Sequence, residues 1–304
     1  MKTWLKVLLA LLLVVAVAGA YVYSQFRSID VEQLDEDLWV LRCLGGNTTV
    51  LRTSAGTVVV DTMTFGMQGE RIRDIATELA GQPPVMIINT HYHFDHTHGN
   101  PAFEKGTRVL STDRTLAYLN ALDAEFWQGD AAHLLPSEPF TDQQTLSIGG
   151  KTIELIHPGP GHTDGDLVVL FTDEGVLHTG DLMFNHHYPN IDLEAGGTVQ
   201  GWPQTLDRIL AMDFTRVVPG HGATTDRAGI QAFQAFITQL GEIGQEAAST
   251  GATLEATQAT TELTTDAGYE PIVFIVPLGL DRNFVLGRAW EEATGNFQLH
   301  ELAP

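Results

Sequence analysis

The sequence predicts an α/β protein in which two β-sheets are sandwiched between layers of helices. Strand-like apolar runs followed by a helical pattern occur twice along the chain, and polar motifs stand where these runs end. Glycine-rich tight turns occur in both halves, which favours one domain over two. We expect that domain at residues 33–304, with a core at 38–222 and a helical C-terminal extension at 223–304.

The first half of the chain is predicted to hold a strand-rich unit and one helix. Glycine-containing turns separate three short strands, predicted at 38–41, 48–53 and 57–60. Ile72, Ile75 and Leu79 have helical spacing. The apolar run 85–88 then predicts a buried strand.

The second half repeats this order with longer helices. Strands are predicted at 152–156, 167–171, 176–178 and 216–218, and helices at 113–122, 202–212 and 228–240. Asp113 is the expected N-cap of the helix at 113–122. Gly241 is expected to end the helix at 228–240. The remainder of the chain is predicted to be mostly helical.

The N-terminal residues 1–24 are predicted to lie apart from this domain. Lys2 and Lys6 precede an uncharged, leucine-rich run at 7–23 with small residues near its end. This layout is typical of a secretory signal peptide, and the run is also close to the length of a membrane anchor. Either alternative places the domain outside the cytoplasm, as a periplasmic, secreted or membrane-anchored protein.

The charge of the chain argues against a nucleic-acid partner. The formal net charge is −22, and such a field repels phosphate backbones. We therefore expect a small-molecule substrate. Cys43 is the single cysteine, so neither an intrachain disulfide nor a thiolate metal cluster can form.

The most informative motif is His91-Tyr92-His93-Phe94-Asp95-His96, which follows the predicted buried strand. In an extended segment residues two apart point the same way, so His91 and His93 can bind one ion. Asp95 and His96 come where the chain can turn into a helix, and their side chains can reach a second ion.

Three further candidate ligands stand beside glycines at predicted strand ends: His162, Asp181 and His221. With the first motif they supply five imidazoles and two carboxylates, enough for two divalent cations. Asp181 is the best candidate for a bridge between the ions, because a carboxylate has two oxygens to share.

The pattern His91-x-His93-x-Asp95-His96, followed by His162, Asp181 and His221, resembles the metallo-β-lactamase superfamily of hydrolases. The resemblance implies an αββα sandwich with the metals at one edge, between the sheets. It also implies that His91, His93 and His162 hold the first ion, that Asp95, His96 and His221 hold the second, and that Asp181 lies between them. Many lactam-cleaving members carry Cys where this chain has Asp181, and Asp is more similar to the glyoxalase II, lactonase and general hydrolase branches.

The ligand set predicts a hydrolase that uses two Zn²⁺ ions, with Fe or Mn as alternatives. A water shared by two such ions ionises near neutral pH and becomes a hydroxide nucleophile. Asp95 is the predicted catalytic residue, because it can orient that nucleophile and relay a proton. The bond cleaved is expected to be an ester, lactone, thioester or amide, including a β-lactam.

Two alternatives to this function are a phosphodiesterase on the same fold and a non-catalytic metal-binding protein. The charge argues against the first, and the complete ligand set argues against the second. Asn185 and Tyr188 are candidate substrate-binding residues, since they follow Asp181 in a loop. The remaining histidines are expected to be surface, turn or supporting residues, although His186 and His187 are also candidates for the pocket wall.

Overall fold

The computed structural model of the chain describes residues 3–273, 279–300 and 302. Within these residues two β-sheets form the centre of the molecule. The first sheet has seven strands: β1 (Asp30–Asp35), β2 (Leu38–Arg42), β3 (Thr48–Thr53), β4 (Gly56–Val60), β5 (Pro84–Ile88), β6 (Arg108–Thr112) and β7 (Glu138–Phe140). The second has five: β8 (Gln143–Ile148), β9 (Lys151–Ile156), β10 (Val168–Phe171), β11 (Val176–Phe184) and β12 (Arg216–His221).

Eight α-helices accompany the sheets in the described part of the chain. They are α1 (Thr3–Arg27), α2 (Gly66–Ala80), α3 (Phe94–Thr97), α4 (Asp113–Leu122), α5 (Trp202–Leu210), α6 (Arg227–Thr250), α7 (Leu254–Thr260) and α8 (Arg282–Thr294).

Both sheets are mixed, and their strands lie in chain order across each sheet. In the first sheet β1 to β4 are antiparallel, and β4 to β7 pair in parallel. In the second sheet β8 to β11 are antiparallel, while β11 and β12 are parallel. Because loops at the carboxyl ends of parallel strands meet at one edge, this arrangement can gather the polar motifs there.

Three apolar clusters show that the layers are helix, sheet, sheet and helix. Between the sheets, Val58 and Ile88 pack in one cluster with Val169 and Phe171. On the outer face of the first sheet, strand residues pack with α2 in a second cluster. On the outer face of the second sheet, strand residues pack with α5, α6 and α8 in a third. The predicted α/β architecture of two sheets between helices is confirmed.

Several element boundaries differ from the predicted ones. Helix α6 continues through Gly241 and ends before Gly251, whose φ of 67° is left-handed. Gly241 lies inside the helix against the side chain of Gln200, so its missing side chain serves packing rather than termination. The N-cap of α4 is Thr112 and not Asp113, because the Thr112 side chain accepts the N–H of Thr115.

Regular structure also occupies the residues between the N-terminal segment and the first predicted strand. Helix α1 extends to Arg27, and β1 begins at Asp30 as an edge strand paired with β2. At the start of α1, residues 1 and 2 lie outside the described residues. No helix among the described residues combines the length and the apolar character needed to cross a membrane. The signal or anchor role of residues 1–24 stays a prediction.

Candidate metal centre

The histidine-rich motif occupies the loop after β5 and the single turn of α3. His91 is fully buried in the loop, and its Nδ1 lies 3.0 Å from the Thr90 hydroxyl. His93 is the N-cap residue of α3 with an extended backbone (φ −64°, ψ 146°), and Asp95 and His96 lie within the helix. The predicted change from extended chain to helix therefore takes place at His93, between the two pairs of candidate ligands.

The three single candidates come from the second sheet. His162 lies in the loop between β9 and β10, and its Nδ1 lies 2.9 Å from the Asn190 carbonyl oxygen, to which it can donate. Asp181 lies inside β11, which is longer than predicted, and His221 ends β12. Because β11 and β12 pair in parallel, with Phe184 opposite His221, both side chains reach the same edge.

Asp181 stands at the centre of the cluster and presents one oxygen to each side. Its Oδ2 lies 3.8 Å from His91 Nε2 and 3.6 Å from His162 Nε2. Its Oδ1 lies 3.1 Å from His96 Nε2 and 3.4 Å from His221 Nε2. Each oxygen of the carboxylate therefore faces a different pair of imidazoles.

The seven candidate ligands fall into two groups whose ligand atoms lie within 4.8 Å of one another. The first contains His91, His93, His162 and Asp181; the second contains Asp95, His96 and His221. In the first group His93 Nδ1 lies 2.7 Å from His162 Nε2. In the second Asp95 Oδ2 lies 3.3 Å from His221 Nε2. The structure thus brings together all seven residues that the sequence singled out, with Asp181 in the group of His91, His93 and His162.

The hydrogen bonding of the cluster tests whether a metal fits there. His91 Nε2, His96 Nε2 and Asp181 Oδ1 are buried and make no hydrogen bond of good geometry with the described residues, although His96 Nε2 and Asp181 Oδ1 face each other at 3.1 Å. Buried polar atoms of this kind are rare, and each one calls for a partner. Imidazole nitrogens and a carboxylate oxygen that converge without partners are the donor set of a divalent transition-metal site. The residues present therefore fit metal ions.

The electrostatics of the cluster favour two charged imidazoles beside the carboxylates. Burial opposes the charge on His96, but Asp181 and Asp95 outweigh it and raise the pKa of His96 well above its ordinary value. The same balance raises the pKa of His221 to about 9. At Asp95 burial opposes ionisation, yet the His96 and His221 charges lower its pKa to about 2.

His91 and His162 have the opposite tendency. Burial, together with the charge on His96, holds the pKa of His91 well below its usual range. Burial also lowers the pKa of His162 to about 4. Both imidazoles are therefore neutral at pH 7 and ready to donate an electron pair to a metal.

Two carboxylates outside the predicted set orient imidazoles of the cluster. Asp61 Oδ2 lies 2.7 Å from His96 Nδ1, and Asp192 Oδ2 lies 3.0 Å from His93 Nε2. Each can accept the N–H of its histidine, so that the other ring nitrogen faces the cluster. Asp61 follows directly after β4, a strand-end position that could have identified it from the sequence. Asp192 has no comparable local signal.

Two glycines allow the close approach of strands and ligands at this edge. A Cβ on Gly220 would lie 2.0 Å from Asp181 Oδ1, and a Cβ on Gly46 would lie 2.3 Å from the His96 ring. Neither neighbour can move without displacing a ligand atom. Glycine at these positions is therefore required by the site.

Asn185 and Tyr188, the predicted substrate contacts, are engaged elsewhere. Asn185 Nδ2 donates to the Ala223 carbonyl oxygen at 2.9 Å, and the Tyr188 hydroxyl donates to Asp266 at 2.8 Å. Neither residue is among the described residues that line the cavity over the cluster. His187, by contrast, does line that cavity, as does His98. The substrate-binding role of Asn185 and Tyr188 stays a prediction.

Comparison with known proteins supplies the family. The sequence model of the metallo-beta-lactamase superfamily matches residues 41–221, which include all seven clustered residues. The chain belongs to the metallo-β-lactamase superfamily. Together with the His/Asp cluster, this membership indicates a metal-dependent hydrolase.

The individual proteins to which this chain is similar carry different functional names. A type 2 metallo-beta-lactamase of Bacillus sp. (strain 170) is 28% identical over 218 residues, 67% of this chain and 80% of that protein. The alpha subunit of 2,4-dinitroanisole O-demethylase of Nocardioides sp. (strain JS1661) is 25% identical, over 66% of this chain and 59% of that protein. The solved structure of a metallo-beta-lactamase from Pontibacter korlensis has a TM-score of 0.61 and 20% identity, over 69% of this chain and 99% of that one. At that identity the structural likeness concerns the fold alone.

Proposed function

We propose that this protein is a dinuclear metal-dependent hydrolase that cleaves an ester, lactone, thioester or amide bond of a small molecule. The observation that carries the proposal is the placement of Asp181, with one oxygen toward His91 and His162 and the other toward His96 and His221. A single ion would bind one of these two pairs of histidines and leave the other pair without a metal.

The residues that would hold each ion follow from the two groups. His91, His93 and His162 would hold one ion, and Asp95, His96 and His221 the other, with Asp181 shared between them. Five imidazoles and two carboxylates without thiolate favour zinc, with iron or manganese as alternatives.

The chemistry divides between the ions and the protein. When bound, two divalent ions polarise the substrate carbonyl and lower the pKa of the attacking water. The protein contributes Asp95, which lines the cavity and is ionised at neutral pH because its pKa is about 2. Its carboxylate accepts a hydrogen bond from the attacking water and passes a proton to the leaving group.

The reaction is a hydrolysis without a redox step. The water oxygen forms a bond to the carbonyl carbon, and the bond from that carbon to the leaving oxygen, sulfur or nitrogen breaks. The leaving group departs with a proton and the acid remains. Phe184 stacks on His221 with 5.0 Å between ring centres, which restricts the rotation of this imidazole during the reaction.

The test combines metal analysis with turnover by the full-length protein. We expect about two zinc ions per chain and hydrolysis of at least one member of a panel: a neutral ester, a lactone, a thioester, nitrocefin and a bis-phosphodiester. His93→Ala and Asp181→Ala should lose metal and turnover, whereas Asp213→Ala, a change of an exposed aspartate, should lose neither.

The panel also discriminates among the alternative functions. Turnover of the phosphodiester alone would replace the proposal with the phosphodiesterase. Two bound ions without turnover of any member would leave the non-catalytic metal-binding protein.

We also propose that residues 1–24 take the domain out of the cytoplasm. Support comes from Lys2 and Lys6 before the uncharged run and from exposed apolar side chains on α1, including Leu11, Leu13 and Val15. Cell fractionation should find the domain in the periplasm or medium if the segment is cleaved, and with the membrane if it is an anchor. Cytoplasmic recovery of the intact chain would contradict the proposal.

A further inference from the structure

A cavity of about 920 Å³ opens over the metal-ligand cluster. His93, Asp95, Asp181 and His221 are among its lining residues, so a molecule in this cavity reaches the reactive centre. The volume lies toward the upper end of the range for small-molecule pockets, about 300–1,000 Å³. The cavity is therefore large enough for a substrate with a substantial group beside the scissile bond.

The walls of the cavity away from the ligands are largely apolar. Leu44 comes from the loop after β2, Phe94 from helix α3 and Phe126 from the residues after α4. The chain before α8 supplies three more apolar side chains: Ile272, Val273 and Leu280. Phe94 is 50% exposed and Val273 is 54% exposed, and apolar side chains that are exposed together along one concave surface are typical of a ligand-binding groove.

Away from the ligand cluster, the described lining residues offer no uncommitted Lys or Arg side chain. Arg42 is the one Lys or Arg among the described lining residues, and its Nη1 lies 2.6 Å from Glu32 Oε2. Its Nη2 donates to the Thr224 hydroxyl. Both ends of the guanidinium are thus occupied by groups outside the cavity wall.

Three ionisable side chains of the wall, Asp123, His98 and His187, face partners within the protein. Asp123 lies 2.8 Å from His98 Nε2 and accepts the indole N–H of Trp127 at 2.8 Å. His187 Nδ1 faces the Glu270 carbonyl oxygen at 3.3 Å. An anionic group on the far part of a substrate would meet mainly apolar side chains and the Asp123 carboxylate, and the described lining offers no uncommitted Lys or Arg to balance its charge.

We propose that the site selects uncharged substrates that carry a bulky apolar group beside the scissile carbonyl. The carbonyl lies at the ligand cluster, and the apolar group lies against Phe94, Phe126 and Val273. This inference rests on the proposed hydrolase function and names its substrate class. A substrate with a carboxylate at the end of the same group is rejected, because that charge would be desolvated without compensation.

Two esters of equal chain length test the proposal with the full-length, zinc-loaded protein. Para-nitrophenyl hexanoate has an apolar chain end, and mono-para-nitrophenyl adipate has a carboxylate there. We expect kcat/KM for the hexanoate to exceed that for the adipate by at least about tenfold, which corresponds to about 1.4 kcal/mol. Equal values, or a preference for the adipate, would overturn the inference.

A matched pair of variants locates the selectivity in the cavity. Val273→Lys places a cation in the wall, and we expect it to shift the ratio toward the adipate by about fivefold or more. Val31 in β1 is a control of the same residue type, 46% exposed and outside the described lining. Val31→Lys changes the net charge equally and should leave the ratio unchanged. Equal shifts in both variants would attribute the selectivity to overall charge and contradict the cavity assignment.

Binding measurements separate this inference from the proposed hydrolysis. Calorimetry should give a dissociation constant for hexananilide at least about tenfold below that for adipic acid monoanilide. Preference for the neutral anilide without ester turnover would contradict ester hydrolysis and leave the substrate-class inference standing. Ester turnover without any preference between the anilides or between the esters would support the hydrolase and overturn the inference.

Discussion

At the scale of single residues, the imidazoles of the site depend on partners that are not ligands themselves. Asp61 faces His96 and also accepts the backbone N–H and the hydroxyl of Thr90, at 2.8 and 2.7 Å. Asp192 faces His93 and accepts the Tyr92 hydroxyl. These carboxylates determine which nitrogen of each ring carries the proton, and hence which nitrogen can bind a metal.

Loss of the Asp192 carboxylate should weaken metal binding. We expect Asp192→Asn to lower zinc affinity about 10–100-fold, because His93 loses the acceptor that orients it. Competition with a chromogenic chelator measures the change. Asp266→Asn is the control, since Asp266 also accepts a tyrosine hydroxyl but faces no ligand. Equal effects of the two substitutions would contradict the orienting role.

A single methyl group at Gly220 should displace the Asp181 side chain from its position between the histidines. Its Cβ would lie 2.0 Å from Asp181 Oδ1, so Gly220→Ala must displace that carboxylate. We expect loss of bound zinc, measured by elemental analysis, with loss of turnover. Gly287→Ala is the control, because its Cβ would meet its nearest neighbour, Gln258, at an ordinary 3.6 Å. Full zinc occupancy in Gly220→Ala would contradict the prediction.

At the scale of elements, side-chain caps define where helices α4, α6 and α8 begin. Asp226 caps α6 by accepting the N–H groups of Ala228 and Gly229, and Asp281 caps α8. Thr112 caps α4, and its hydroxyl also lies 2.7 Å from the Gly165 carbonyl oxygen in the loop that follows His162. This cap therefore joins the first sheet to a loop of the second.

The cap of α4 gives a prediction about stability. We expect Thr112→Ala to lower the free energy of unfolding by about 1–2 kcal/mol, since it removes the cap and the bond to Gly165. Asp113→Ala should cost less than about 0.5 kcal/mol, because Asp113 is exposed and does not cap the helix. Urea denaturation measures both. If Asp113→Ala lowered the free energy of unfolding more than Thr112→Ala does, Asp113 would be the cap.

At the scale of the whole molecule, the candidate metal centre joins the two sheets. His91 to His96 follow β5 of the first sheet, whereas Asp181 and His221 belong to β11 and β12 of the second. Ions bound between them would cross-link the layers at one edge. Because such ions bind the folded state alone, they add to its stability by mass action.

Metal removal should therefore lower the melting temperature. With free zinc at about a hundred times the dissociation constant, each site adds about 2.7 kcal/mol, which corresponds to a shift of several degrees. Calorimetric scans with zinc and with a chelator measure it. The shift should be much smaller in Asp181→Ala, and an equal shift there would place the stabilising ions outside this cluster.

The stability of the metal-free protein should depend on pH through His221. Its pKa is raised from 6.5 to about 9, so the charged imidazole stabilises the fold below pH 6.5. That contribution is lost as the pH rises through about 9.

Melting temperatures of the chelated protein between about pH 6 and 10 test this dependence. We expect the decline to be weaker in the zinc-loaded protein, because metal binding replaces the proton on the imidazole. An equally steep decline in His221→Gln would show that another group is responsible.

The sequence by itself determined the features that depend on local spacing. The alternation of His91 and His93 after an apolar run, with Asp95 and His96 where the chain can turn into a helix, predicted two ligand sets because backbone geometry relates neighbouring side chains. Strand β3 was predicted with its observed ends, and the order of strands and helices predicted the two-sheet architecture.

Only the tertiary structure decided the contacts between distant segments. Asp192 reaches His93 across 99 residues, and no local pattern marks that pairing. Asn185 and Tyr188 were predicted as substrate contacts from their place in a loop, and only the structure shows that their polar groups bond to Ala223 and Asp266. Periodicity tells which face of an element is apolar, but the partners of a loop side chain depend on how whole layers pack, and that information is not local.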